Sequence, residues 1–323
     1  MAAIAARDKS RAEGFALRHA IPTAHGNYDD LLAAPDIDAV YNPLPNSLHG
    51  PWTLKAIAAG KHVLCEKPFA SHAEQAQQVA DAAAAAGLVV MEAMHYRYHP
   101  LIQRLSDLVA ELGPVRHIQC WTNFTIEDPD DIRYDYDLAG GALMDGGCYA
   151  IDCLRLLGDG EPSVTGALAD PWAVPGRDAA GDAGRNEGRD AGRDASEPVA
   201  AADRAMAVRL AFGGGATGWF DSSFTRDGEF RADVHVSCRD GQVWMQNFIQ
   251  AHRGRVLATR NGALVADEQG TGDTTYTWQL RAFAAAVAAG PGGEPVPTSA
   301  AQAVTTMRVI DDAYRAAGLA RRP

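Results

Sequence analysis

The chain has 323 residues, 47% of them hydrophobic, enough for one large or two ordinary domains with packed cores. Its net charge is −12 and its lysines and arginines are scattered, which excludes a nucleic-acid footprint of clustered basic residues. No apolar run reaches membrane-spanning length, Arg7-Asp8 interrupts any signal-peptide core, and the five cysteines are dispersed without a C-x-x-C, so the expected location is a reducing cytoplasm.

Met1 to Ala6 reads as a small apolar strand, followed by a helix to about Ala20. Ser10 with Glu13 fits a capping box there, with Asp8 as a rival N-cap. Ile37 to Tyr41 is a second strand, opening into Asn42-Pro43-Leu44-Pro45-Asn46-Ser47-Leu48-His49, and a helix from about Pro51 to Ala59 is stopped by Gly60. His62 to Cys65 is a short buried strand that ends in Glu66-Lys67-Pro68. Ser71 is the expected cap of an alanine-rich helix to Ala86, and Leu88 to Glu92 is the next strand. Strands alternating with helices of this length predict βαβ units and a parallel sheet. Ligands bind beyond the carboxyl ends of such strands, which is where Glu66 and Lys67 fall.

After Tyr98-His99-Pro100 the rhythm changes. A helix of about a dozen residues leads to a long strand, Val115 to Phe124, and a helix covers Asp145 to Leu157. Strands then dominate: Val164–Ala169, Ala205–Phe212, Thr217–Phe224, Ala232–Cys238 and Gln242–Phe248, with closing helices over Tyr276–Ala289 and Ser299–Ala317. The fold class expected is therefore α/β followed by α+β. Residues 1–94 form a Rossmann-type parallel sheet, and residues 95–323 form a domain with a large, mostly antiparallel open sheet. Residues 176–204, with Gly176-Arg177-Asp178-Ala179-Ala180-Gly181 nearly recurring at Gly188-Arg189-Asp190-Ala191-Gly192 and no aromatics, read as a disordered low-complexity insertion.

The one G-x-G-x-x-G, Gly213 to Gly218, lies between two strands with no helix after it, so it predicts a hairpin turn rather than a dinucleotide loop. The residue that meets the adenosine ribose follows the glycine motif by about 20 residues, at the end of the second strand. Ala6-Arg7 matches that position. The reading therefore expects the first strand and its glycine loop upstream of Met1, as in a nucleotide-binding domain whose start is assigned too late. The other account is a naturally short chain.

The runs Tyr41 to His49, Ala59 to Pro68, Met91-Glu92-Ala93 and Gly140 to Tyr149 resemble the Gfo/Idh/MocA oxidoreductases, most closely the branch of dihydrodiol and xylose dehydrogenases and glucose–fructose oxidoreductase. The resemblance implies an NAD(P)-dependent enzyme acting on a sugar, polyol or cyclic diol, with Lys67 and Tyr149 acting on the hydroxyl and Asp145 in support. The competing reading is a non-catalytic nucleotide- or sugar-binding homologue, or an inactive fragment.

Asp145 and Tyr149 are four apart on a predicted helix and share a face. Bringing a tyrosine to ionise near neutrality takes roughly 4 kcal/mol, about what one ammonium supplies at ~4 Å and an effective dielectric of ~20. Lys67 is the expected source. Arg7, with Arg11 a turn beyond, suits a 2′-phosphate, so NADP is expected over NAD. Asn42, Pro45 and His49, with Glu66 and Lys67, are expected beside the cofactor, and Arg97 and Arg133 near the substrate. No histidine spacing implies a metal. The exposed part of the second sheet, with Trp219, Phe220, Phe224, Trp244 and Phe248, is expected to form a homodimer.

Overall fold

The structure is a computed structural model that describes residues 1–172, 198–224, 230–290 and 293–323. Its first part alternates β1 (Ala3–Ala5), α1 (Lys9–Arg18), β2 (Thr23–His25), α2 (Tyr28–Ala33), β3 (Ala39–Asn42), α3 (Asn46–Ala58), β4 (His62–Cys65), α4 (Ala73–Ala86) and β5 (Val90–Glu92). All pairings are parallel, β1 with β2 and β4 between β3 and β5. Val63, Leu64 and Cys65 are essentially inaccessible. A parallel strand covered on both faces needs such an unbroken apolar run.

Local details depart from the sequence reading. The short β2 and α2 were not expected. Asp8, not a Ser10–Glu13 box, caps α1, because its carboxylate accepts the N–H groups of Ser10 and Arg11 at 2.8 and 3.4 Å. Helix α3 begins at Asn46 and contains Pro51. His72, not Ser71, caps α4, its ring nitrogen accepting from the Gln75 N–H at 3.3 Å.

The second part holds α5 (Pro100–Glu111), β6 (Val115–Asn123), a π-helical turn (Leu143–Gly147) continuing into α6 (Cys148–Leu157), and seven further strands. These are β7 (Ser163–Pro171), β8 (Asp203–Ala211), β9 (Thr217–Ser223), β10 (Arg231–Cys238), β11 (Gly241–Gln246), β12 (Arg255–Arg260) and β13 (Ala263–Gln269). The order is β13-β12-β11-β10-β6-β9-β8-β7, and only β6–β9 is parallel. The Gly213–Gly218 run is the β8–β9 hairpin turn, with Gly215 at φ +88°. The β12–β13 hairpin was not anticipated.

Strand β10 shows how the sheet faces are set: Ala232, Val234, Val236 and Cys238 are buried while the residues between them are partly exposed. Helices α5 and α6 cover the buried face. On that face Phe220, Phe224 and Phe248 are wholly buried, which corrects their assignment to an exposed patch. Trp219 is partly exposed and Trp244 is 38% exposed on the other face.

Helices α7 (Thr275–Ala289) and α8 (Ala300–Ala316) close the chain. α8 packs on α4 of the first part as well as on α6 and β7. Most of the low-complexity stretch assigned to 176–204 lies outside the described residues. Its last residues do not behave as an insertion: Val199 is bridged to Leu319, Ala202 and Asp203 are buried, and β8 starts at Asp203.

Candidate active site

Strand β4 delivers Glu66 and Lys67 to the carboxyl edge of the parallel sheet, and the Lys67–Pro68 peptide is cis. The following loop is clamped from two sides. A ring nitrogen of His49 lies 2.7 Å from the Pro68 carbonyl, and the Glu92 carboxylate accepts the Phe69 N–H at 2.9 Å. Burial, then the nearby Asp152 charge, pushes the Glu92 carboxyl up to about 8.

The loop directs Lys67 across to the second part. Its Nζ pairs with an Asp145 carboxylate oxygen and donates to the Asp145 carbonyl at 2.9 Å. The other Asp145 oxygen accepts from Arg133 Nε at 2.8 Å, and Arg133 is held in turn by Asp131. Side chains of Lys67 and Asp145 are both only 15% exposed. Burial alone would push the Asp145 carboxyl up, but Lys67 and Arg133 outweigh it and hold the group below the usual carboxylate range. Burial likewise disfavours the Lys67 ammonium, and Asp145 more than restores it, raising that group above an ordinary lysine.

Tyr149 lies one turn beyond Asp145, with its ring centroid 5.1 Å from Lys67 Nζ. The structure places these three side chains together, but the phenol is raised and not lowered as the sequence reading expected. The ammonium is engaged by Asp145 and faces the ring. Burial, followed by the charges of Glu66 and neighbouring groups, holds the Tyr149 hydroxyl well above 10. The phenol therefore carries its proton at neutral pH.

Sequence reasoning missed three aromatic neighbours. His95 meets Tyr149 edge-on at 5.7 Å, stacks on Tyr276 at 4.0 Å and hydrogen-bonds the Thr275 hydroxyl at 2.8 Å. Burial, then the Lys67 charge, pushes the His95 imidazole down to about 3, so it is neutral. Tyr41 donates to Glu66 at 2.7 Å. His95 follows the carboxyl end of β5, a position that could have flagged it. Nothing in the sequence ties Tyr276, at the start of α7, to this cluster.

Other expected contacts lie elsewhere. The Asn42 amide is buried and donates to the His49 carbonyl and the Thr53 hydroxyl, both at 3.1 Å. The second ring nitrogen of His49 lies 2.6 Å from the Leu44 carbonyl. Both side chains therefore shape the β3–α3 turn rather than presenting free polar atoms to a cofactor. Pro45 caps α3 without a side-chain hydrogen bond. Arg97 is paired with the buried Asp152 at 3.1 Å. Arg7 and Arg11 are exposed past the end of β1 and form no ion pair with any described residue.

Residues 1–94 match the family model described as oxidoreductase family, NAD-binding Rossmann fold, and residues 102–244 match the GFO/IDH/MocA C-terminal domain. The chain is 36% identical over 322 residues to D-xylose 1-dehydrogenase (NADP(+)) 2 of Haloferax volcanii, covering 98% of this chain and 89% of that protein. An aldose-aldose oxidoreductase from Caulobacter crescentus, solved with glycerol, superposes with a TM-score of 0.82 at 26% identity, covering 98% of this chain and 89% of that one. A 3-ketoreductase from Actinomadura kijaniata, solved with NADP and TDP-benzene, gives 0.79 at 25% identity, covering 96% and 87%.

Proposed function

Because this chain belongs to the GFO/IDH/MocA oxidoreductase family, we propose that it transfers a hydride between NADP and a hydroxyl or carbonyl carbon of a sugar, polyol or cyclic diol. The observation that carries the reading is the convergence of Lys67, Asp145 and Tyr149, from opposite parts of the chain, at the edge of the parallel sheet. On this reading residues 1–94 hold the nucleotide and residues 95–323 supply the substrate side. Arg7 and Arg11 suit the 2′-phosphate, and Glu66 and Lys67 border the nicotinamide end.

Bound there, NADP supplies or takes the hydride. The residues of the chain handle the proton. In reduction, the protonated Tyr149 hydroxyl donates to the carbonyl oxygen as the hydride reaches the carbon. Lys67 stabilises the negative charge growing on that oxygen. Asp145 and Arg133 hold Lys67 in place, and Arg133, 45% exposed, stands where it can also meet substrate hydroxyls. Oxidation requires the Tyr149 phenol first to lose its proton to solvent, a loss that burial opposes, so that the phenolate can take the proton of the substrate hydroxyl as the hydride leaves. Neutral His95 and the Tyr276 ring wall the site with apolar surface.

A screen of pentoses, hexoses, polyols and cyclic diols, followed by nicotinamide absorbance in both directions, tests this reading. At least one substrate class should turn over, with NADP preferred to NAD. Absence of turnover with every class and both cofactors overturns it and favours a non-catalytic sugar- or nucleotide-binding protein.

The open face of the eight-stranded sheet supports a homodimer. Trp121, Arg231, His235 and Trp244 line a shallow depression there, with the Arg231 guanidinium 3.9 Å from the Trp121 ring centroid. Light scattering should give twice the 34.3 kDa chain mass; the mass of one chain refutes the dimer. A cytoplasmic location is part of the same proposal. It is supported by five unpaired, buried cysteines and by the lack, among the described residues, of a helix long and apolar enough to cross a membrane.

A further inference from the structure

The turn that launches the catalytic helix is tied to the last helix and the C-terminal segment by a buried charged network. Arg322 and Asp203 have no exposed side-chain surface and pair at 2.6 Å. From Arg322, Nε donates to the Gly140 carbonyl at 2.6 Å, and another guanidinium nitrogen donates to the Ala201 carbonyl at 2.9 Å. The same Asp203 oxygen that meets Arg322 also accepts the Tyr314 hydroxyl at 2.8 Å, and the Arg322 guanidinium lies 4.0 Å from the Tyr314 ring centroid. The second Asp203 oxygen accepts the Leu143 N–H at 2.7 Å.

Two of the backbone groups held by this network, the Gly140 carbonyl and the Leu143 N–H, lie on either side of Gly141. That residue has φ +135°, and a Cβ there would come within 2.1 Å of Asp203 Oδ1. The Gly141 carbonyl accepts the Asp145 N–H at 3.0 Å. Arg322 and Asp203 therefore hold residues 140–143, those residues hold the Asp145 backbone, and Asp145 holds the Lys67 ammonium.

We propose that Arg322 and Asp203 are positioning residues that fix the Lys67–Asp145 pair from behind, through the Gly140–Leu143 turn. The inference rests on the functional reading above for its kinetic consequence but not for its structural one. A buried guanidinium with several carbonyl and carboxylate acceptors permits one arrangement of the turn, and small misplacements of reacting groups cost large factors in rate.

The test uses Arg322→Lys in the full chain. A lysine keeps the charge but cannot reach Gly140, Ala201 and Asp203 together in a fixed fork. Labelling of Lys67 by an amine-reactive ester, read by mass spectrometry against exposed Lys55 as internal control, requires no substrate. Lys67 labelling should rise about fivefold or more while Lys55 is unchanged, as expected for loss of a positional constraint.

In turnover, kcat should fall about tenfold with the KM for NADP unchanged, and Arg322→Lys should cost nothing further in an Asp145→Asn background. Unaltered Lys67 labelling, or effects that simply multiply in the double variant, would overturn the proposal. Should Arg322→Lys fail to fold, Tyr314→Phe removes a single donor to Asp203 and should shift Lys67 labelling in the same direction; no shift there overturns it equally. A wild-type protein without turnover would count against the functional reading alone, because the labelling result stands without it.

Discussion

Tyr149→Phe should lower kcat by about 10²- to 10⁴-fold while leaving the Kd for NADP within about twofold, because the variant deletes only the proton donor. The ring is 6% exposed and packed edge-on against His95 and Tyr96, contacts that phenylalanine preserves. Loss of rate is therefore attributable to the hydroxyl and not to repacking. Burial keeps that hydroxyl protonated, so wild-type reduction should show no fall in rate from Tyr149 ionisation across the neutral range. Steady-state kinetics with fluorescence titration of NADP separates the two quantities. Wild-type kcat in a folded Tyr149→Phe protein would remove Tyr149 from the mechanism.

Lys67→Met should be costly twice over. It removes the charge that stabilises the developing oxyanion, a loss of about 10²- to 10³-fold in kcat. It also leaves Asp145, 15% exposed, with Arg133 alone. Breaking a buried pair costs roughly 3–5 kcal/mol, and the remaining arginine puts the expected figure at about 3 kcal/mol.

The pH dependence follows from the two shifts. Asp145 has a lowered folded value, so its contribution is present above the unfolded carboxyl, about 4, and is lost as pH falls through the folded value. Lys67 has a raised folded value, so its contribution is complete below the unfolded amine, about 10, and is lost as pH rises through the folded value. The stability gap between wild type and Lys67→Met should thus be widest between about pH 4 and 10 and narrow in acid. Denaturant titrations at roughly pH 2.5 and 7 would show it; a gap independent of pH would mean that the pair is not linked to folding.

Much of this was readable from the residues. The continuous apolar run of β4 and the two-residue alternation of β10 announce their strands because burial on two faces and on one face leave different patterns. The four-residue spacing of Asp145 and Tyr149 announced a shared face. The side-chain parity of β9 sends Phe220 inward beside outward Trp219, a distinction that aromatic content alone does not make. Asn42 and His49 resembled ligand groups because they are polar and follow a strand end. Their partners are backbone carbonyls and a hydroxyl brought close by the turn itself, and sequence spacing does not reveal where such acceptors go. The phenol was misjudged for a related reason. The direction of the Lys67 ammonium is set by Asp145 and Arg133, a long-range arrangement on which the electrostatics wholly depend.

Helix α8 touches α4 on one side and α6 and β7 on the other. Met307, Ile310, Ala313 and Tyr314 along it are wholly inaccessible. During translation, the nucleotide half would emerge long before the element that seals its α4 flank. Until α8 arrives, the α4 flank lacks the cover it has in the finished chain, so a version ending before α8 should expose apolar surface of the first part and aggregate more readily.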